Sequence, residues 1–161
     1  MGTPTGTRRE GATHGPHDPR PSHPGWRDAG SVVASGPWGK VVWARTASGK
    51  SPARDFFDAL PDPQAAKVQA LFNRMAETGK IHNRQKFKKL RDIGGQALWE
   101  FKSSQIRFLG RLGPGPTFIV ASGLRKKRGA LVPRDLKRAA RILDEHDEAQ
   151  WRVSGGAPNG R

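Results

Sequence analysis

Residues 97–124 read ALWEFKSSQIRFLGRLGPGPTFIVASGL, and this stretch decides the fold. Two turn signals, Ser103-Ser104 and the Gly-Pro repeat at 113–116, separate three runs typical of strands. The runs are 97–102, 105–112 and 117–124. Because connections this short join antiparallel neighbours, the stretch predicts a three-stranded antiparallel meander.

Upstream of the meander the sequence predicts one more strand, at 40–46 (KVVWART), and two helices. Ser51-Pro52 is an N-cap followed by proline at the first helical position. Pro61 breaks this first helix, Asp62-Pro63 starts a second, and Gly79 ends it. One face of the second helix is apolar, because four residues recur at i, i+3, i+4 and i+7: Val68, Leu71, Phe72 and Met75.

Downstream of the meander, Pro133 opens a last helix with the same apolar spacing. The predicted order is therefore β, α, α, β, β, β, α. We expect an α+β fold with a small antiparallel sheet, built from the first strand and the meander, with two N-terminal helices and one C-terminal helix.

Composition divides the chain into one domain and two tails. Residues 1–36 are rich in Gly, Pro, His and Arg without apolar periodicity, so we expect a disordered N-terminal tail there. The folded domain is expected at 37–148, and a flexible C-terminal tail at 149–161. The chain has no cysteine, no apolar run long enough to span a membrane and no apolar core of a signal peptide. These absences favour a cytoplasmic protein without a membrane partner.

The positive charge is concentrated in the middle of the chain. Of 29 Lys and Arg residues, which outnumber 14 acids and give a net charge of +15, thirteen lie between 80 and 128. Only Asp92 and Glu100 are acidic in that segment. A local excess of this size predicts a polyanionic partner, either a nucleic acid or an anionic surface.

Side-chain alternation divides the middle strand of the meander into two faces. Arg107 shares one face with Arg111, and Phe108 lies on the other. We expect the cations to gather on one side of the sheet and the helices to pack on the opposite side. An arginine in an apolar strand needs an anion or water, so Arg107 is either a ligand for a bound anion or the structural partner of Glu100 on the neighbouring strand.

An ordered series of short motifs resembles the RelE superfamily, and more closely the phage-derived, HigB-like toxins of bacterial toxin–antitoxin pairs. The resemblance covers about residues 38–148. Its motifs are Lys88-Lys89-Leu90, Leu98-Trp99-Glu100-Phe101-Lys102, Ile106-Arg107-Phe108, Lys126-Lys127 and Pro133-Arg134-Asp135-Leu136-Lys137-Arg138-Ala139.

This resemblance implies a RelE-like fold and a ribosome-dependent mRNA endonuclease that needs no metal or other cofactor. The RNA 2′-OH attacks the adjacent phosphate in the ribosomal A site, so the protein positions the chain, moves protons and stabilises charge. The implied catalytic residues are Arg107, Lys126 and Lys127, with Glu100 orienting Arg107. The implied RNA-binding residues are Lys86, Lys88, Lys89, Arg111, Arg125 and Arg128.

The residues leave the general base open. Family members use a late Tyr, His or Asp, whereas this chain has no tyrosine, and neither His82 nor His146 lies on the last strand. We expect His146 to be an exposed helix residue, and a lysine with a lowered pKa is one hypothesis for the base. Trp99 or Phe101 is a candidate for stacking on a base.

Two other readings stay open: a RelE-fold module that binds RNA, ribosome or DNA without cutting, and a basic nucleic-acid-binding protein of unrelated fold. The resemblance also implies a partner, a small antitoxin with a helix-turn-helix domain encoded by an adjacent gene. That antitoxin would cover the basic surface or block entry to the ribosome. Operator DNA would be bound only through the toxin–antitoxin complex.

Overall fold

Six strands and three helices form the part of the chain that the computed structural model describes, residues 32–126 and 129–153. In chain order they are β1 (Val32–Ser35), β2 (Lys40–Trp43), α1 (Pro52–Asp58), α2 (Asp62–Thr78), β3 (Phe87–Ile93), β4 (Gln96–Ser103), β5 (Ile106–Leu112), β6 (Thr117–Arg125) and α3 (Pro133–Val153). The α+β class predicted from the sequence is confirmed, and the helices begin near the predicted proline signals.

The strands make one mixed sheet in the order β1-β2-β6-β5-β4-β3. The meander predicted from residues 97–124 is present as β4, β5 and β6, each antiparallel to the next. The expected four-stranded antiparallel sheet is wrong on two counts, because β1 and β3 add a strand at each edge and β2 pairs with β6 in parallel. A parallel pair is possible because β2 leads into α1 and α2 instead of a hairpin.

Strand β3 is not among the strands that the sequence predicts. It pairs with β4 through a turn at Gly94-Gly95, whose φ angles of 56° and 85° suit glycine. Lys88 and Lys89 therefore lie on an edge strand, where consecutive side chains point to opposite faces. Lysine on an edge strand also discourages pairing with another chain.

The domain extends further at both ends than the predicted boundaries. Strand β1 lies within the predicted N-terminal tail, yet Val33 and Ala34 are only 4% and 6% exposed. Helix α3 continues to Val153, inside the predicted C-terminal tail. The rest of the two predicted tails, 1–31 and 154–161, lies outside the described residues.

Helices cover both faces of the sheet, so the prediction that they share one side is wrong. Helices α1 and α2 pack on the first face over an aromatic core that includes Trp43, Phe57, Phe72, Phe101 and Phe108. Helix α3 packs on the second face over Leu98, Leu109, Ile119, Ile142 and Leu143. The reason lies in the central strands, which are apolar on both sides and need cover on both.

Candidate functional site

Arg107 lies near the start of β5, on the face that α3 covers, and is only 8% exposed. Its Nε is 3.2 Å from Oε2 of Glu100 on β4. Its Nη1 donates to the carbonyl oxygens of Ser104, at 2.6 Å, and Ile106, at 3.1 Å. Among residues 32–126 and 129–153, Nη2 has no hydrogen-bond partner. The guanidinium is thus held in one orientation with one NH2 group left for a ligand.

The turn between β4 and β5 helps to fix this orientation. Ser104 has a φ of 56°, in the left-handed region that non-glycine residues rarely adopt. Its carbonyl oxygen accepts the short bond from Arg107, and the next residue, Gln105, accepts a bond from the backbone nitrogen of Lys126 at 2.7 Å. The turn therefore links the arginine to the chain that leaves β6.

Glu100 is a buried carboxylate, 3% exposed, at the centre of three cations. Burial raises its pKa, and this effect outweighs the opposing attraction of Lys88, Arg107 and Lys102. Only Oε2 is engaged, in the ion pair with Arg107. The other carboxylate oxygen, Oε1, has no hydrogen-bond partner within the described part of the chain.

A cleft of about 450 Å³ opens over this pair. We call it the cationic cleft. It is bounded by β3, β4 and β5 on one side and by the segment that starts α3 on the other. Four of its lining residues are cations and one is an acid: Lys88, Arg91, Lys102, Arg107 and Glu100. Its other lining residues are Leu90, Gly129, Ala130, Leu131, Pro133 and Leu136. A phosphate group would meet a net positive charge here.

Arg111 lies on the same face of β5, but both terminal nitrogens of its guanidinium have partners within the domain. Nη1 and Nη2 each lie 2.6 Å from an oxygen of Asp147 on α3, and Nη1 also donates to Gln96 at 2.6 Å. The structure therefore uses this predicted RNA-binding residue to fasten α3 to the sheet.

Of the other predicted site residues that the structure describes, Lys88 lines the cleft, whereas Lys86, Lys89, Arg125 and Lys126 do not. Lys89 lies beside Trp99 on the α1/α2 face, and its Nζ bonds to Asp92 at 3.0 Å. Arg125 also lies on that face and donates to Gln64 of α2 at 2.9 Å. Lys86 is exposed just before β3, and Lys126 is half-buried just after β6. Two predicted residues lie outside the described residues, Lys127 and Arg128.

Sequence reasoning missed two cations of the cleft, Lys102 and Arg91. The signal for Lys102 was available, since alternation along β4 places it on the same face as Glu100. Arg91 had no such signal, because the pairing of β3 with β4 shifts register between Lys89 and Asp92.

His146 differs from expectation, and the structure distinguishes the two aromatic candidates. His146 is 6% exposed, not an exposed helix residue, and its Nδ1 accepts a bond from the backbone nitrogen of Arg45 at 3.0 Å. Phe101 is part of the core at 1% exposed. Trp99 is only half-buried, and its ring stacks on Phe87 with 4.9 Å between centroids. Of the two stacking candidates, Trp99 alone is accessible.

Two other features, a metal site and a membrane-spanning helix, are absent from the residues that the structure describes. None of their acidic and histidine side chains cluster in a way that holds a metal ion. Neither is any of the three helices long and apolar enough to cross a bilayer.

Comparison of the sequence with known proteins shows the family to which the chain belongs. The model of the family described as phage derived protein Gp49-like (DUF891) matches residues 55–144, which are 90 of the chain's 161 residues. The chain belongs to this phage-derived, Gp49-like family. The family is associated with RelE-type, toxin-like proteins. The matched span contains every residue of the cationic cleft. None of the curated proteins matches the chain.

Proposed function

We propose that this Gp49-like protein is the toxin of a type II toxin–antitoxin pair, with a RelE-like fold of the HigB-like kind, and that it cleaves mRNA in the ribosomal A site. One observation carries the proposal. Arg107 is paired with a buried carboxylate, lines a cleft together with three more cations, and lies within the span that matches the family.

The reaction that fits this cleft needs no nucleophile from the protein. The 2′-oxygen of the RNA forms a bond to the adjacent phosphorus, the bond from phosphorus to the 5′-oxygen breaks, and the products are a 2′,3′-cyclic phosphate and a 5′-hydroxyl. The protein must bind the phosphate while its charge changes. Arg107 would donate from Nη2 to a non-bridging oxygen, with Lys88 and Lys102 beside it.

Glu100 fits the role of proton acceptor better than any lysine in the cleft. Arginine is never deprotonated in practice, and a lysine must first lose its charge to act as a base. Burial already raises the pKa of Glu100 towards the working pH, where a carboxylate is a more effective base. Its unpaired Oε1 would take the proton from the 2′-OH and return it to the leaving 5′-oxygen.

Inducible expression tests the proposal. We expect the wild-type protein to stop growth and to leave cleaved mRNA, and Arg107→Ala to relieve both effects. A matched control is Arg134→Ala, which removes an exposed arginine that does not line the cleft and should leave the toxicity unchanged. Growth arrest by the Arg107 variant would contradict the proposal.

A second function, RNA or ribosome binding without cleavage, is favoured by one observation. Arg107 is so deeply buried that its pair with Glu100 also makes sense as a purely structural contact. The same expression experiment separates the two functions, since growth arrest with intact mRNA would favour binding alone.

The proposal includes a protein partner. A toxin of this kind requires a small antitoxin, and we propose a helix-turn-helix protein encoded by the adjacent gene, through which the complex would bind operator DNA. Co-expression with the product of the neighbouring open reading frame should restore growth, and a stable complex should be recovered by affinity purification.

A further inference from the structure

A second cavity lies on the opposite face of the sheet, beside the edge strand β3. Its volume is about 310 Å³, at the lower end of the range of about 300–1,000 Å³ for small-molecule sites. We call it the Trp99 groove. It lies between the segment that follows α2 and the outer part of the sheet. Its lining residues are Gly79, Lys80, Ile81, His82, Arg84, Phe87, Lys88, Lys89, Trp99 and Leu112.

The composition of this groove is that of a single-strand nucleic-acid site. Four of its lining residues are Lys or Arg, and none is acidic. An aromatic ring, Trp99, lies among them and is only half-buried. Cations that follow a backbone, combined with an aromatic surface for bases, are the two elements that proteins use to bind single strands without sequence preference.

Trp99 is held in place for stacking. Its ring lies nearly parallel to that of Phe87, with an interplanar angle of 11°, and Phe87 is anchored in the core at 7% exposed. Its partner across the sheet on β5 is Gly110. A base that stacks here would therefore meet a fixed surface, and little conformational entropy would be lost on binding.

The Trp99 groove is connected to the cationic cleft by one residue, Lys88, which lines both cavities. This is possible because β3 is the last strand of the sheet, so a residue of this strand can border a cavity on each face. An RNA strand that crosses this edge would place one phosphate in the cleft and an adjacent nucleotide in the groove.

We propose that the Trp99 groove binds a nucleotide of single-stranded RNA that flanks the phosphate held in the cationic cleft, with the base stacked on Trp99 and the backbone contacted by Lys80 and Arg84. This inference rests on the proposed function for the identity of the ligand. It adds a binding site that extends the contact beyond the reacting phosphate.

Fluorescence anisotropy with a labelled RNA hexanucleotide tests the inference, with 2′-O-methyl groups throughout so that it cannot be cut. Trp99→Ala should weaken binding roughly 5- to 100-fold, whereas Trp99→Phe, which keeps a ring, should retain most of the affinity. Inorganic phosphate, which can occupy the cleft but has no base for the groove, should bind Trp99→Ala and wild type equally.

A charge-reversal variant keeps the test independent of any folding defect in Trp99→Ala. Lys80→Glu/Arg84→Glu changes two exposed side chains of the groove and should weaken hexanucleotide binding and reduce its salt dependence. Lys50→Glu/Lys67→Glu changes the net charge equally at exposed positions outside both cavities. This control should lose much less affinity.

The inference is overturned if both groove variants bind the hexanucleotide as the control does. If the same substitutions instead weaken the binding of a labelled acidic peptide and leave RNA binding unchanged, the groove belongs to a protein partner. That result would also overturn the inference. Cleavage assays separate this failure from that of the proposed function. If Arg107→Ala abolishes cleavage and the groove variants bind normally, only the inference fails. If the groove binds RNA but the wild-type protein cuts none on ribosomes, only the proposed function fails.

Discussion

Two arginines on the same strand and the same face, four positions apart, have opposite uses. Arg107 has three hydrogen-bonding or ionic contacts that orient it, yet it lines the cationic cleft, and no hydrogen bond within the described residues uses its Nη2. Both terminal nitrogens of Arg111 donate hydrogen bonds, to Asp147 and Gln96. Charge and strand position therefore do not decide whether an arginine can bind a phosphate. What decides it is whether the nitrogens of its guanidinium are already paired within the domain.

The largest effect is expected at Arg107. Arg107→Ala should lower single-turnover cleavage of mRNA on purified ribosomes by about 10³-fold, because the donor that follows the charge on the phosphate is lost. Arg107→Lys keeps the charge without the planar fork and should recover only part of the rate. Near-normal cleavage by the alanine variant, with its fold verified by circular dichroism, would make Arg107 a structural residue like Arg111.

A substitution at Glu100 distinguishes its two proposed roles, the orientation of Arg107 and the transfer of a proton. Glu100→Gln keeps the shape and a hydrogen-bond acceptor for Arg107 but cannot take a proton, so we expect a loss of about 10²-fold or more in cleavage with RNA affinity little changed.

The pH profile gives an independent test of this role. A base acts in its ionised form, so wild-type cleavage should rise with pH through the raised pKa of Glu100, and the rise should be absent in Glu100→Gln. If the variant instead loses affinity and keeps the same pH profile, Glu100 only orients the arginine.

The sequence could predict which side chains share a face, but not what covers that face. Period-two alternation correctly placed Arg107 and Arg111 together. It could not show that α3 would lie over them, because Phe108 and Leu109 are both apolar and each face of β5 looks like a core face. Asp147, the residue that decides the fate of Arg111, is 36 positions away on that helix.

Edge strands were the other limit. In β3 the cations at Lys88 and Lys89 interrupt the apolar alternation, since an edge strand needs little core contact and benefits from charge. Strand β1 has only four residues and follows a long Gly- and Pro-rich segment, so no local signal separated it from the predicted tail. Both strands form because antiparallel pairing with the next strand along the chain, β2 for β1 and β4 for β3, satisfies one side of their backbones.

Arg111 should affect stability where Arg107 affects chemistry. Asp147 is 40% exposed, so solvent screens the pair, and the bidentate geometry favours a contribution of about 1–2 kcal/mol to the free energy of unfolding. Urea unfolding of Arg111→Ala, Asp147→Ala and the double variant should yield a coupling energy of that size. Affinity for the 2′-O-methyl hexanucleotide should be unchanged in Arg111→Ala. A clear loss of RNA affinity without a loss of stability would restore Arg111 to the role that its sequence context predicted.

The smallest effect is expected at His146, next to Asp147 on α3. Its titration should make the free energy of unfolding depend on pH. Burial lowers the pKa of His146; Asp147 opposes this shift, while Arg111 and Arg45 add to it. Below pH 6.5, the ordinary pKa of histidine, the unfolded chain binds a proton at His146 more readily than the folded chain does. The free energy of unfolding therefore falls as the pH decreases through that range.

A variant that cannot titrate isolates this contribution. In His146→Asn the side-chain oxygen takes the place of Nδ1 as acceptor for the backbone nitrogen of Arg45, so the contact is kept and the titration is removed. We expect the difference in unfolding free energy between wild type and variant to be constant above pH 6.5 and to shift in favour of the variant below it. Urea unfolding at a series of pH values measures this slope. A constant difference throughout would mean that protonation of His146 does not oppose the packing of α3 on the sheet. The ion pair between Arg111 and Asp147 would then tolerate a second positive charge beside it.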